Sequence, residues 1–262
     1  MPNRSMRSRS QDTMKDPEQT LIDVVSPSTI QSLKIKADGH IAHYLKAGSG
    51  PSVVLLHGGA SDSRDWVKTM TALSHLYTLY APDLLGYGLS ASTRSSYYLS
   101  EFVEFTLAFL REINLERHYL VGHSIGGRVC LEIALRHPEM VRRLVLIDTV
   151  GFGRLARWGM YIGAVMYYLR KMLRIEQPYP RFLKEDGEDK DWRCTERLRE
   201  LKIPTLVVWN SRDPYYPVVQ ALEAWKLMPH AQLEVFSGYG HAPHVKERGY
   251  FNSLLLDFLK PE

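Results

Sequence analysis

The sequence predicts an α/β fold, a largely parallel central sheet with helices on both faces. Three observations carry that expectation. Ser52-Val53-Val54-Leu55-Leu56, Leu144-Val145-Leu146-Ile147 and Thr205-Leu206-Val207-Val208-Trp209 are apolar runs without polar alternation. Such runs mark strands buried on both faces, as in parallel sheets. Segments of helical period separate them, so the chain reads as repeated strand and helix. Finally, a serine framed by glycines, Gly122-His123-Ser124-Ile125-Gly126, stands where one strand turns into a helix.

In chain order, Leu33 to Ala37 alternates, Asp38-Gly39 is a two-residue turn signal, and His40 to Leu45 returns. This predicts an opening hairpin. The strand at Val53–Leu56 runs into His57-Gly58-Gly59, and a helix follows over Trp66–Leu76, with Ser63 or Asp65 as its cap. Tyr77–Ala81 is the next strand, ending at Pro82-Asp83. Phe102, Phe105, Phe109 and Ile113 set a helix over Ser100–Ile113. His118–Val121 leads into the serine turn, and Arg128–Arg136 is helical up to His137-Pro138. After the strands ending at Ile147 and Trp209 come a helix over Val218–Leu227, a last strand over Gln232–Phe236 and a closing helix over Glu247–Leu259.

Residues 150–202 interrupt the alternation and contain no clear strand. Leu155–Leu173 is helical and rich in Met, Tyr and Trp, whereas Lys184–Arg199 is highly charged. The expected division is a tail over residues 1–25, a core over 26–149 and 203–262, and a short helical cap over 150–202. An insertion there belongs over the C-terminal ends of the strands, where open α/β sheets bind ligands.

Bulk properties narrow the function. At 262 residues, with 45% hydrophobic content, the chain can bury a real core. A net charge of +4 is mild. No basic stripe with interleaved aromatics points to nucleic acid. Of the two cysteines, Cys130 is expected to be buried and Cys194 lies in a charged stretch; two free thiols are expected. His241 and His244 lack an evident third ligand, so no metal is expected. Residues 1–20 lack the apolar core of a secretory signal. The basic, Ser-rich, acid-free Met1–Gln11 reads as a disordered leader, with a weak organelle-targeting signal as the alternative, and a cytoplasmic location is expected.

The chemistry gathers at strand ends. A sharp strand-to-helix turn pushes a serine hydroxyl clear of its neighbours, and small residues on each side let the two arms pass. The following helix aims free N–H groups at the reacting centre. His57-Gly58-Gly59 ends one buried strand, Asp213 follows another within Trp209-Asn210-Ser211-Arg212-Asp213-Pro214, and Gly240-His241-Ala242-Pro243 follows the last. Asp83-Leu84-Leu85-Gly86-Tyr87-Gly88-Leu89-Ser90 makes a tight turn after a further strand.

Serine, acid and histidine in this order, each past a strand, resemble the α/β-hydrolase fold superfamily. The likeness covers residues 30–260 and is similar to single-domain esterases, lactonases and carbon–carbon hydrolases with a cap. It implies Ser124 as nucleophile, His241 as general base and Asp213 as the acid that orients the imidazole. It implies an oxyanion hole from the backbone N–H groups of Gly59 and Ile125. His57 and His123 are expected as scaffold, and Asp83 and Ser90 as braces of their turn. Asp148 and His244 are the alternative acid and base; some relatives take their acid from the position of Asp148. Epoxide hydrolases and haloalkane dehalogenases carry aspartate where Ser124 stands, so serine implies acyl chemistry. Hydrolases of ring-cleavage products usually place Trp after the catalytic histidine, where this chain has Ala242.

The resemblance thus implies a cofactor-independent serine hydrolase of small-to-medium apolar esters, thioesters or lactones. A ligand receptor that keeps the pocket without turnover is an alternative, as is non-hydrolytic triad chemistry such as cyanohydrin cleavage or perhydrolysis. For the cap, Leu155, Trp158, Ile162, Val165, Met166 and Leu169 share helical spacing. One reading makes Trp158, Ile162 and Met166 the wall of an acyl pocket. The other rests that face on a membrane surface, with Arg154, Arg157, Arg170, Lys171 and Arg174 toward anionic lipid. The uncharged run is shorter than the ~20 residues needed to span a bilayer. The sequence does not specify an oligomeric state.

Overall fold

The structure, a computed structural model, describes residues 29–90, 97–174 and 193–260. The N-terminal tail and much of the charged 184–199 stretch lie outside the described residues. An eight-stranded sheet runs in the order β1-β2-β4-β3-β5-β6-β7-β8. The strands are β1 Gln31–Ala37, β2 His40–Ala47, β3 Ser52–Leu56, β4 Thr78–Pro82, β5 His118–His123, β6 Val141–Ile147, β7 Thr205–Arg212 and β8 Ala231–Tyr239. β2 pairs antiparallel with β1 and β4, and β3 to β8 pair in parallel. The opening hairpin turns at Asp38-Gly39 with φ of 49° and 77°, the left-handed pair that a twisted two-residue loop needs.

Six helices of at least seven residues lie among the described residues: α1 Val67–Leu73, α2 Leu99–Glu112, α3 Ile125–Arg136, α4 Arg157–Met172, α5 Val218–Leu227 and α6 Arg248–Leu259. The apolar strand runs feed two cores, because successive side chains point to opposite faces. Val54, Leu56, Leu120, Leu144 and Val207 pack with α2, α3 and α5 through Phe105, Val129 and Ala221. Val53, Leu55, Val121, Val145 and Val208 pack with α1 and α6 through Met70, Phe251 and Leu255.

Several boundaries differ from the periodicity. The helix expected over Trp66–Leu76 is a 3-10 turn, Ser63–Trp66, followed by α1, which ends at Leu73. Its cap is Asp62, which accepts from Arg64 N at 3.0 Å. The two residues named from sequence are engaged elsewhere: Ser63 N donates to Asp83 at 2.7 Å, and Asp65 accepts from Ser61 Oγ. The last strand continues to Tyr239, and Glu247 separates a short helical turn, Pro243–Lys246, from α6. The two cysteines are free and buried.

The insertion between β6 and β7 is stitched down at its base. Ala156 N donates to Tyr215 O at 2.8 Å, Gln220 Nε2 to Arg154 O at 2.7 Å, and Cys194 N to Gly151 O at 3.1 Å. The chain returns through a 3-10 turn, Thr195–Glu200, tied to α3 by a buried charge network. Glu132, at 3% side-chain exposure, accepts from Arg128 Nη1 at 2.9 Å, Arg136 Nε at 2.6 Å and Arg197 Nη1 at 2.9 Å. Burial alone would raise the Glu132 pKa, but the three guanidinium groups outweigh it and hold the carboxyl at about 2. A carboxyl depressed below its unfolded value stabilises the fold above roughly pH 4.5 and loses that contribution as pH falls toward its folded value. Glu132→Gln is therefore expected to lower unfolding free energy by about 3 kcal/mol at neutral pH. In urea titrations, the gap to wild type should narrow as pH falls below ~4.

Candidate active site

The site starts from one steric fact. β5 delivers Ser124, and α3 begins at the next residue. Ser124 has φ 52° and ψ −114°, a conformation that costs a non-glycine residue ~1–3 kcal/mol. The turn presses against β3 so closely that a Cβ on Gly126 would lie 2.5 Å from the carbonyl oxygens of Leu56 and His57. Ser124 N donates to Ile147 O at 2.9 Å, and Ser124 O accepts from Arg128 N at 3.1 Å. Three elements thus hold the strained residue in place.

His241 Nε2 lies 2.8 Å from Ser124 Oγ, and His241 Nδ1 lies 2.7 Å from Asp213 Oδ2. A carboxylate only accepts, so Nδ1–H donates to Asp213 and Nε2 is left to accept from the serine hydroxyl. The second Asp213 oxygen accepts from Tyr215 N at 2.7 Å and Tyr216 N at 3.2 Å, which fixes the carboxylate plane. The rings of Tyr215 and Tyr216 lie 4.9 and 5.7 Å from the His241 ring. Burial disfavours the His241 imidazolium, but the Asp213 hydrogen bond and the charges of Asp213 and Asp148 outweigh it, so its pKa lies above the usual value.

The neighbouring histidines behave differently. Burial lowers the pKa of His57, lowers that of His123 well below normal and brings His244 to about 3. His57 Nδ1 donates to Gly58 O at 2.7 Å, and its Nε2 accepts from Leu84 N at 2.9 Å, so it braces two loops as a neutral ring. His123 Nε2 donates to the His241 carbonyl. His244 stacks on Trp66 at 4.6 Å. Of the two bases weighed from sequence, His241 meets Ser124 and His244 does not.

Asp148, the alternative acid, accepts from Asn210 N at 2.9 Å and so laces the end of β6 to β7. Burial first, then repulsion from Asp213, pushes its carboxyl up to about 7. His123, Asp148 and His241 each bring a potential ligand atom within 4.8 Å of the others. Within that group, His123 Nε2 donates to the His241 carbonyl, His241 Nδ1 donates to Asp213, and Asp148 accepts from Asn210.

Gly59, one of the two residues expected to supply the oxyanion donors, neighbours the side chain of the other, Ile125. A Cβ on Gly59 would approach Ile125 Cδ1 to 2.8 Å. Ile125 opens α3, so its N–H has no intrahelical acceptor. Asp83 and Ser90 brace the turn after β4: Asp83 accepts from Leu89 N at 2.8 Å and faces His43 Nδ1 at 2.7 Å, and Ser90 Oγ donates to Asp83 O at 2.8 Å. That turn carries Tyr87, whose ring lies 5.4 Å from His57.

The cap face differs from its expectation. Trp158 is 73% exposed and Met166 43%, and Ile162 is half-buried. The tight contact of α4 is made by Gly159, where a Cβ would lie 2.7 Å from Tyr215 Cα. A hydropathy pattern seeks large apolar side chains, so it misses an approach made by a glycine. It also passes over Tyr215 and Tyr216, whose one sequence signal is their place directly after Asp213-Pro214. His123 was read as scaffold, but its bond to the histidine loop has no signature beyond adjacency to Ser124.

Comparisons with known proteins agree with this architecture. The α/β-hydrolase fold family model matches residues 51–177. An uncharacterized protein of Mycobacterium tuberculosis is 29% identical, over 90% of this chain and 82% of its own. A 2-hydroxymuconate semialdehyde hydrolase of Pseudomonas sp. strain CF600 is 27% identical, over 81% of this chain and 88% of its own. Among solved structures, a meta-cleavage product hydrolase superposes with a TM-score of 0.73 at 26% identity, covering 86% of this chain and 97% of its own. The sheet order, the strained serine turn and these relatives agree with one another: the chain has the α/β-hydrolase fold.

Proposed function

We propose that the protein is a serine hydrolase that cleaves small-to-medium apolar esters, thioesters or lactones through a covalent acyl-enzyme. The observation that carries this reading is the unbroken hydrogen-bonded line from Ser124 through His241 to Asp213. In the first half-reaction, Ser124 Oγ attacks the acyl carbon and His241 Nε2 takes its proton. The oxyanion forms between the Gly59 and Ile125 N–H groups, at the positive end of α3. The C–O or C–S bond breaks, and the proton on His241 passes to the leaving alcohol or thiol. In the second half-reaction, water attacks the acyl-serine as His241 takes one of its protons. The acid leaves, and that proton returns to Ser124. Asp213 stabilises the imidazolium throughout, and Asp148 serves as a positioning residue for the β6–β7 end. Within α4, half-buried Ile162 is a better candidate for an acyl contact than exposed Trp158 or Met166.

A second reading is hydrolysis of a carbon–carbon bond in a ring-cleavage product. The names of two relatives, a 2-hydroxymuconate semialdehyde hydrolase and a meta-cleavage product hydrolase, favour it. Ala242, where such enzymes usually carry Trp, opposes it. Decay of a yellow dienoate in the same assay series separates the two chemistries.

The first test is Ser124→Ala with p-nitrophenyl esters of graded acyl length and a fluorophosphonate probe. Turnover is expected to fall ~10⁴-fold or more, and labelling to vanish. Near wild-type turnover by the purified variant would remove Ser124 from the mechanism.

The acid is tested by ranking two variants. Asp213→Asn should lose at least ~10²-fold more activity than Asp148→Asn, because the amide allows the wrong imidazole tautomer. The neutral form of His241 is the base and its pKa is raised, so kcat/KM should climb with pH through a midpoint above the ordinary histidine value. Removing the Asp213 charge should move that midpoint to lower pH. A greater loss in Asp148→Asn, or a rate independent of pH across this range, would reassign the acid or the base.

A further inference from the structure

The face of α4 turned away from Tyr215 is apolar and open. Trp158, Tyr161, Val165, Tyr168 and Met172 recur every three or four residues along its 16 residues and are all exposed, Trp158 to 73% and Met172 to 72%. Between Arg154 and Arg174 the chain has no Asp or Glu, and Arg157, Lys171 and Arg174 stand exposed at the two ends of this stripe.

We propose that this face is a peripheral docking surface for an anionic lipid bilayer. The aromatic and apolar stripe enters the headgroup boundary, and the basic ends meet lipid phosphates. Trp and Tyr favour that depth because an apolar ring and a polar tip fit a boundary between hydrocarbon and water. Apolar burial and cationic attraction then add along one helix. The helix lies on the bilayer and does not cross it. Its ~24 Å length falls short of the ~30 Å hydrocarbon core, and no helix among the described residues is long and apolar enough to cross. Charge argues for lipid over a second copy of this chain. Two such helices packed stripe to stripe would bring arginine and lysine against arginine and lysine, with no acidic residue on either to answer them. Gly159 sets α4 against the loop after Asp213, so docking would bring the site close to the lipid surface. Resting on the hydrolase reading above, this favours acyl esters that partition into the bilayer as substrates.

The test is flotation of the full chain with vesicles of phosphatidylglycerol and phosphatidylcholine, against vesicles of phosphatidylcholine alone. Binding to the anionic vesicles that weakens as sodium chloride rises is expected. Ser124→Ala should bind like wild type, which keeps failure of the hydrolase reading distinct from failure of this one. Two double variants probe the two contributions, Tyr168→Ser with Met172→Ser and Arg157→Glu with Lys171→Glu. Each should lower the partition coefficient roughly tenfold or more, without reducing turnover of a soluble short-chain ester. Absence of binding at low salt would overturn the proposal. So would wild-type binding by both double variants, which would move the contact to another basic segment such as the N-terminal tail. A dimer seen by light scattering, abolished by the Tyr168/Met172 pair in a protein that ignores vesicles, would assign the face to a second copy instead.

Discussion

The approach of the serine turn to strand β3 is the contact on which the rest of the site depends. Gly126 lies where any side chain would enter the carbonyl oxygens of Leu56 and His57. The same approach accompanies a contact of Gly59 with the Ile125 side chain. It also requires Ser124 to hold a left-handed conformation that the chain would otherwise leave. The strain persists because β6 and the first turn of α3 grip Ser124 on both of its peptide sides.

Electrostatics then separates residues of one chemical type. Four histidines crowd the C-terminal ends of β3, β5 and β8. His57, His123 and His244 are buried away from any paired carboxylate, so desolvation keeps them neutral and they serve as packed or hydrogen-bonding rings. His241 alone among them has a carboxylate on Nδ1, and that one bond reverses the effect of burial. The two carboxylates differ for a related reason. Asp213 is held by two backbone N–H groups and the imidazole, whereas Asp148 meets the backbone and side-chain amide of Asn210. The raised pKa of Asp148 follows from burial first and then from the charge of Asp213.

The insertion shows opposite physics on its two sides. Its inner contact is backbone against backbone through Gly159, joined to the acid-bearing loop by the Ala156 to Tyr215 hydrogen bond. Its outer face leaves large apolar groups in solvent. Folding of the core alone does not call for that exposure, because burying such side chains would stabilise the fold by about 1.5–3 kcal/mol each. The Glu132 network anchors the returning chain at the far side of α3. The position of α4 therefore rests on a few polar ties and one glycine contact, with little apolar burial.

Much of the architecture was legible in the residues themselves. Unalternating apolar runs identify parallel strands, Asp38-Gly39 identifies the hairpin, and glycines around Ser124 identify the turn, because each is a local demand of backbone geometry. The order Ser124, Asp213, His241 was legible as well, since each follows a strand end that the same patterning locates. What only tertiary structure decided is which of several equivalent groups meet. Asp213 and His241 were preferred to Asp148 and His244 from the sequence, but the 2.7 and 2.8 Å contacts that join Asp213, His241 and Ser124 cross strands far apart in sequence. The capping role of Asp62 emerged only once Asp83 had claimed Ser63. The inward face of α4 was hidden for the same reason. Periodicity ranks faces by hydropathy, but docking against Tyr215 was decided by the absence of a side chain at Gly159, and the apolar stripe was left outside.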